Sequence, residues 1–136
     1  MKCDPADALP VVGSASSSEL GVRPGIDIHV NAVGEAVLDG NGMSVSPGWR
    51  SLEYTRIPKR LRHIVPGAKG PNSTSCFFMG SGAFENGPVA DGLELIVDHG
   101  TGPATHGVIA PSQLVSLARF QSDLVSTRAE WRIDEA

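Results

Sequence analysis

Several features that mark large classes of proteins are missing from this sequence of 136 residues. It has only two cysteines, Cys3 and Cys76, which excludes the dense cysteine framework of small secreted domains. We therefore expect two free thiols in a reducing cytoplasm. No apolar run approaches the roughly 18 residues that a membrane helix needs. The N-terminal residues also lack the apolar segment of a Sec signal peptide, so we expect a cytoplasmic protein that does not cross a membrane.

A surplus of basic residues is also missing. The formal net charge is −4 and the isoelectric point is about 5.5, which argues against general nucleic-acid binding by neutralisation of phosphates. The four histidines and two cysteines do not have the spacing of a zinc site, so we expect no metal. Neither GxGxxG nor GxxxxGK occurs, which removes the two commonest phosphate-binding loops.

What the sequence does contain is turn-forming residues, with 16 glycines and 10 prolines. So many turns favour short elements and a β-rich fold over a helix bundle. The length and the apolar fraction of 40% suit one domain with one core. We expect residues 1–25 to form a loosely ordered N-terminal arm and residues 26–136 to form the domain.

The stretch from residue 91 to residue 111 predicts the centre of the fold. Leu93, Leu95 and Val97 alternate with Glu94, Ile96 and Asp98, which is the pattern of a strand. A second strand is predicted over residues 105–110, after a loop that contains Gly100, Gly102 and Pro103. The two runs are expected to pair with each other.

Other elements are predicted around this pair. Alternation predicts a strand over residues 26–30, and the sequence DGNG at residues 39–42 predicts a hairpin between two short runs. Residues 75–79 are predicted to form a buried strand, and the Gly-rich residues 80–91 a long connection.

One convincing helix is predicted near the C-terminus, with Ser112 as its N-cap. We expect its buried face to hold the apolar residues at three- and four-residue spacing, which are Leu114, Leu117, Ala118, Leu124 and Val125. Trp131 is expected to fold back onto the domain. The overall prediction is a mostly antiparallel α+β protein with a C-terminal helix.

Three kinds of side chain are candidates for function. His106 lies near the start of the second central strand, where a histidine is suited to hydrogen bonding a ribose or diphosphate or to acid–base catalysis. Glu94, on the first central strand, is a candidate base. A local cluster of basic residues, formed by Arg56, Lys59, Arg60 and Arg62, is either a solvated face or a contact for a phosphate-bearing ligand.

Two segments of the chain resemble a known family. Residues 42–45 read GMSV and are followed by an aromatic and a basic residue, Trp49 and Arg50. Later, a strand over residues 92–98 precedes ATHGVIAP at residues 104–111. In order and rough spacing this is similar to the small interbacterial toxins that are delivered by type VI secretion and have an ADP-ribosyltransferase-like fold. The similarity extends over about residues 42–125.

This resemblance implies split β-sheets around a cleft that holds NAD. It implies that Ser44 and His106 belong to the site, with Thr105 beside them; Arg50 and Arg56 are added as cofactor contacts from their charge alone. Glu94 is the carboxylate we expect to stabilise positive charge on the ribose. The family role would be a toxin that transfers ADP-ribose to a target or hydrolyses NAD, with a cognate immunity protein as partner and delivery into other bacteria.

Departures from the family pattern support a second hypothesis. Gly107 stands where the family tends to have an aromatic residue, and the Glu-x-Glu pair of better-known transferases does not occur. The alternative is therefore a non-catalytic module of the same fold that binds a protein or a nucleotide. A β-rich binding protein unrelated to the family is a third hypothesis.

Overall fold

The computed structural model describes residues 1–98, 100 and 102–135. The described chain is a mixed α+β protein with mostly antiparallel strands and one C-terminal helix, as predicted. Its strands are β1 (Glu35–Ala36), β2 (Met43–Val45), β3 (Phe77–Phe78), β4 (Gly87–Ala90), β5 (Leu93–Val97), β6 (Gly107–Pro111), β7 (Val115–Ser116) and β8 (Arg132–Ile133). The helix is α1 (Leu117–Ser126), and short 3-10 turns occupy Trp49–Ser51, Tyr54–Arg56, Lys59–Leu61 and Arg128–Glu130.

The main sheet has the strand order β2-β6-β5-β4, and its neighbouring strands are antiparallel. The predicted pairing of the two central strands is confirmed, with Leu95 opposite Ile109. Leu93, Leu95 and Val97 are buried, as the alternation predicted. The second strand begins at Gly107 rather than at residue 105, so His106 lies just before it.

The hairpin predicted at residues 39–42 is wrong. The runs on either side of it join different sheets, since β1 pairs with β7 and β2 pairs with β6. The carboxylate of Asp39 accepts a bond from the Asn41 backbone N–H (3.2 Å) and contacts His29. The turn residues therefore redirect the chain toward two distant partners instead of closing a local hairpin.

The strand predicted over residues 26–30 is also wrong, because a turn replaces it. The backbone N–H and the guanidinium of Arg23 both donate to the Asp27 carboxylate, which closes the turn. These contacts lower the pKa of Asp27. Only isolated bridges remain, at Ile28 and Val30.

The segment from residue 75 to residue 91 is partly as predicted. Of residues 75–79, only Phe77 and Phe78 form a strand, and this strand pairs with β8. The predicted long connection contains β4, an edge strand of the main sheet that the sequence analysis missed. Trp131 is buried, which confirms that the end of the chain folds back.

The helix begins later than predicted. Its N-cap is Ser116, whose hydroxyl accepts a bond from the Arg119 N–H at 3.1 Å, and Ser112 lies before it. Because residues 115–116 pair with β1, helix formation is delayed by about one turn. The buried helix residues are consequently Phe120 and Leu124, whereas the predicted face residues Leu114 and Val125 are exposed.

Two clusters of buried apolar residues hold the fold together. The main core lies between α1 and the main sheet and includes Phe120, Leu93 and Ile109. A second, smaller core includes Trp49, Ile57, Leu61, Ala68 and Cys76. Within residues 1–25, where the sequence predicts a loose arm, Leu20 and Val22 are fully buried in the main core.

Both thiols are free, as predicted. No helix in the described part of the chain is long and apolar enough to cross a bilayer.

Candidate functional site

A cavity of about 1060 Å³ opens beside the main sheet. Its floor includes Met43, Leu95 and Ile109, which share one face of the sheet because they lie opposite each other in the register. We call this the inner face. Five aromatic side chains line the cavity, and these are Trp49, Phe77, Phe78, Phe84 and Trp131. Such a concave, ring-lined space suits a ligand with flat ring systems.

One wall of the cavity is the segment from residue 79 to residue 89. Asn86 anchors it, because its side-chain oxygen accepts a bond from the Val97 N–H at 2.7 Å. Phe84 anchors it a second time, at Gly107. A side chain at position 107 would place its Cβ only 3.2 Å from the Phe84 ring and 2.7 Å from the carbonyl oxygen of Ile96. The ring of Phe84 thus lies close to the backbone at Gly107.

The polar lining of the cavity combines charges of both signs. Arg56 is its one basic side chain among the described residues. The carboxylates that line it are Glu19, Glu85, Glu130 and Asp134. Cys76 also lines the cavity, and burial raises the pKa of its thiol to about 11. The thiol is therefore protonated near neutrality and is a poor nucleophile there.

Ser44 belongs to the cavity lining, but the sheet directs its side chain elsewhere. It lies on the edge strand β2, opposite Val108. Because neighbouring residues of a strand alternate between faces, its side chain lies on the face opposite Met43 and Val45. We call this the outer face, so Ser44 borders the cavity chiefly through the strand backbone.

His106 lies outside the lining of this cavity, and so does Thr105. The imidazole Nδ1 of His106 is 2.6 Å from a carboxylate oxygen of Asp98, and both side chains are well exposed. Ser44 pairs with Val108, and His106 lies two residues before Val108. The side chain of His106 is therefore on the same outer face as that of Ser44. Such diagonal neighbours on adjacent strands are separated by roughly 7–8 Å.

Glu94 also belongs to the outer face, where it pairs with Ala110. It lines a separate small cavity of about 130 Å³ with Asn41 and Ile96. The three predicted catalytic residues therefore share one face of the sheet but do not meet at one point. Asp98, which directly follows β5 and contacts His106, was not among the predicted site residues.

The two predicted arginines have different surroundings. Arg56 lines the large cavity. Arg50 does not belong to that lining, and its guanidinium carbon lies 4.8 Å from the centre of the Trp49 ring. That distance is typical of a cation–π contact. Arg50 thus contacts a wall residue, Trp49, from outside the cavity lining.

No group of three or more potential metal ligands occurs within residues 1–98, 100 and 102–135. Comparisons of the chain with models of protein families, with curated proteins and with solved structures find no match.

Proposed function

We propose that the large cavity binds NAD, and that the protein transfers ADP-ribose to a target or hydrolyses NAD on an ADP-ribosyltransferase-like fold. The observation that carries this proposal is the ring-lined cavity of about 1060 Å³. Pockets for small ligands have volumes of about 300–1,000 Å³, so this one is large enough for a dinucleotide. NAD has two flat ring systems and a diphosphate, which match the aromatic lining and the Arg56 guanidinium.

The reaction breaks the bond between the ribose and the nicotinamide nitrogen. The bonding electrons leave with nicotinamide, and positive charge develops on the ribose. Water or a target nucleophile then attacks the ribose carbon and loses a proton. A carboxylate beside the ribose stabilises this charge. Glu94 lies on the outer face, so we propose Glu130 of the cavity lining for that role.

The biological role in the proposal comes from the family resemblance. It is that of a toxin delivered into competing bacteria and neutralised by a cognate immunity protein. Expression of the chain in a bacterial cytoplasm should then slow growth. Arg56→Gln and Glu130→Gln should relieve the toxicity, whereas Arg50→Gln, at a cation outside the cavity lining, should not. Equal toxicity of all three variants would contradict the assignment of the cavity.

Binding can be followed without a label. The chain has two tryptophans, Trp49 and Trp131, and both line the cavity. We expect NAD to change their fluorescence in a saturable way and Arg56→Gln to weaken this binding at least tenfold. Nicotinamide release is measured in the same samples for Glu130→Gln and for Glu94→Gln as its matched control. If nicotinamide release is lost only in Glu94→Gln, the reaction takes place on the outer face of the sheet.

A non-catalytic binding module is the second candidate. The observation that favours it is the separation of His106 and Glu94 from the cavity lining. It predicts a saturable fluorescence change with NAD and no release of nicotinamide above a protein-free blank. The absence of any binding at millimolar NAD would reject the NAD-binding cavity and leave only a module that binds a partner protein or another nucleotide.

A further inference from the structure

Charge is strongly segregated along this chain. Residues 40–84 contain six of the eleven Lys and Arg residues but only one of the fifteen acidic residues, Glu53. The rest of the chain has five basic side chains against fourteen acidic ones. The net charge of −4 is therefore the sum of a basic segment and a strongly acidic remainder. A local basic surface can attract anions even when the whole protein repels them.

The basic residues belong to a folded unit, residues 49–72, which we call the basic lobe. Its interior is formed mainly by the second core, with Ile57 and Leu61 buried. Backbone bonds tie its two halves together. Lys69 N–H donates to Tyr54 O at 2.9 Å, and Lys59 N–H donates to Gly70 O at 3.1 Å. The positions of its cations are thus fixed by a packed scaffold.

Several cations of the basic lobe are available to a ligand. Arg56, Lys59 and Lys69 are exposed, and none of them forms an ion pair with a described residue. Arg60, in contrast, makes two hydrogen bonds to Glu135, and Arg62 donates to the carbonyl oxygen of Ala68. The charges of Arg56, Lys59 and Lys69 take no part in these internal contacts.

An exposed aromatic ring accompanies these cations. Tyr54 is the only tyrosine, and 54% of its surface is accessible. Its ring lies against Gly67, where a Cβ would come within 2.5 Å of it, so the ring rests on bare backbone. A fixed, exposed ring beside cations is a platform for stacking of an unpaired base. An acidic polypeptide would use the charges but would have no particular need for the ring.

We propose that the basic lobe binds single-stranded nucleic acid. Lys59 and Lys69 would contact phosphates, and a base would stack on Tyr54. This proposal does not depend on NAD binding, because neither lysine nor Tyr54 belongs to the cavity lining. It also refines the expectation from net charge, which concerns the whole chain and not this surface.

The test is fluorescence anisotropy with fluorescein-labelled oligo-dT and oligo-U at 50–300 mM salt. For single strands, log K falls against log salt with a slope of about −0.7 per phosphate contact. The double variant Lys59→Gln/Lys69→Gln should flatten the slope by about 1.4. Arg119→Gln, which removes one exposed charge from the helix instead, should leave the slope unchanged. Circular dichroism checks that each variant is folded.

Stacking is tested separately. Tyr54→Ala should weaken binding about tenfold or more, and Tyr54→Phe, which keeps the ring, should bind like the wild type. Three outcomes would overturn the proposal. The first is the absence of saturable oligonucleotide binding at 50 mM salt. The second is an equal loss of affinity in Arg119→Gln and in the lysine double variant. The third is that polyglutamate displaces the oligonucleotide as effectively as unlabelled oligonucleotide does, while Tyr54→Ala binds with wild-type affinity. The last would indicate an acidic protein as partner.

Discussion

The Nδ1 atom of His106 and the carboxylate of Asp98 are 2.6 Å apart at the loop end of the β5–β6 hairpin. The backbone joins the same two residues, since the Asp98 N–H donates to the His106 carbonyl oxygen at 3.0 Å. An ionised carboxylate only accepts hydrogen bonds, so Nδ1 is the donor, and Nε2 has no hydrogen-bond partner among the described residues. The arrangement orients the imidazole, but on the face of the sheet opposite the cavity floor.

This position gives the first prediction. His106→Ala should leave NAD binding in the cavity within about twofold of wild type, because the ring is outside the cavity lining. Tryptophan fluorescence titration measures it. The family resemblance predicts the opposite result, a loss of binding. If His106→Ala and Ser44→Ala each lose NAD binding, the ligand lies on the outer face of the sheet.

The second prediction concerns the two thiols. Burial raises the pKa of Cys76 to about 11, so at pH 8 very little of it is thiolate. Cys3 is only partly buried. A disulfide reagent at pH 8 should therefore modify one thiol per chain rapidly and the second only after denaturant is added. Cys3→Ser should abolish the rapid phase. A rapid phase that persists in this variant would contradict the buried position of Cys76.

The third prediction follows from the contact between Arg60 and Glu135. The Arg60 hydrogen bonds lower the pKa of Glu135 below its ordinary value. The carboxylate therefore stabilises the fold above its unfolded-state pKa, and this contribution is lost as the pH falls through the lower folded-state pKa. Glu135→Gln should cost about 1 kcal/mol at pH 7, since the pair is partly exposed.

Urea unfolding at pH 7 and at pH 3 measures this effect. The difference between wild type and Glu135→Gln should shrink at the lower pH, because the carboxylate of the unfolded chain is protonated there and the advantage of the ionised folded state decreases. Glu53→Gln is the control, because Glu53 is exposed and forms no ion pair with a described residue. A difference that does not depend on pH would mean that packing, and not charge, causes the loss.

The fourth prediction distinguishes the observed helix face from the face that the sequence predicted. Phe120 is fully buried, so Phe120→Ala should destabilise the protein by about 3–5 kcal/mol. Val125→Ala should cost less than about 1 kcal/mol, because that side chain is 39% exposed. Chemical unfolding of both variants decides the matter. A larger loss of unfolding free energy in Val125→Ala than in Phe120→Ala would indicate that the predicted face is the buried one.

The parts of the fold that were predictable are those fixed by local pattern. Alternation over Leu93, Leu95 and Val97 is a property of neighbouring residues, and it predicted a strand with the correct buried face. The turn residues at 39–42 and the helix start at Ser112 failed for the opposite reason. Partners far along the chain, in β6, β7 and β1, decide whether those residues form a hairpin, a strand or a helix.

The candidate site was less predictable for a related reason. Its lining comes from widely separated segments, and Phe84 and Trp131 have no local pattern that marks them as wall residues. Arg56 lines the cavity and Ser44 borders it through the strand backbone, whereas the pleat of the sheet assigns the side chains of Ser44, Glu94 and His106 to the outer face. Deciding between the two faces requires the register of the strands, which composition and spacing do not supply.

The pairing scheme has a consequence for how the chain is made. The three earliest strands all pair with late ones: β1 with β7, β2 with β6 and β3 with β8. Each early strand therefore has no partner until a much later part of the chain has been synthesised. Contacts between residues distant in sequence slow folding, and unpaired edges favour aggregation while they last. During translation, therefore, the first eighty or so residues should remain sensitive to proteases until the ribosome has released β8.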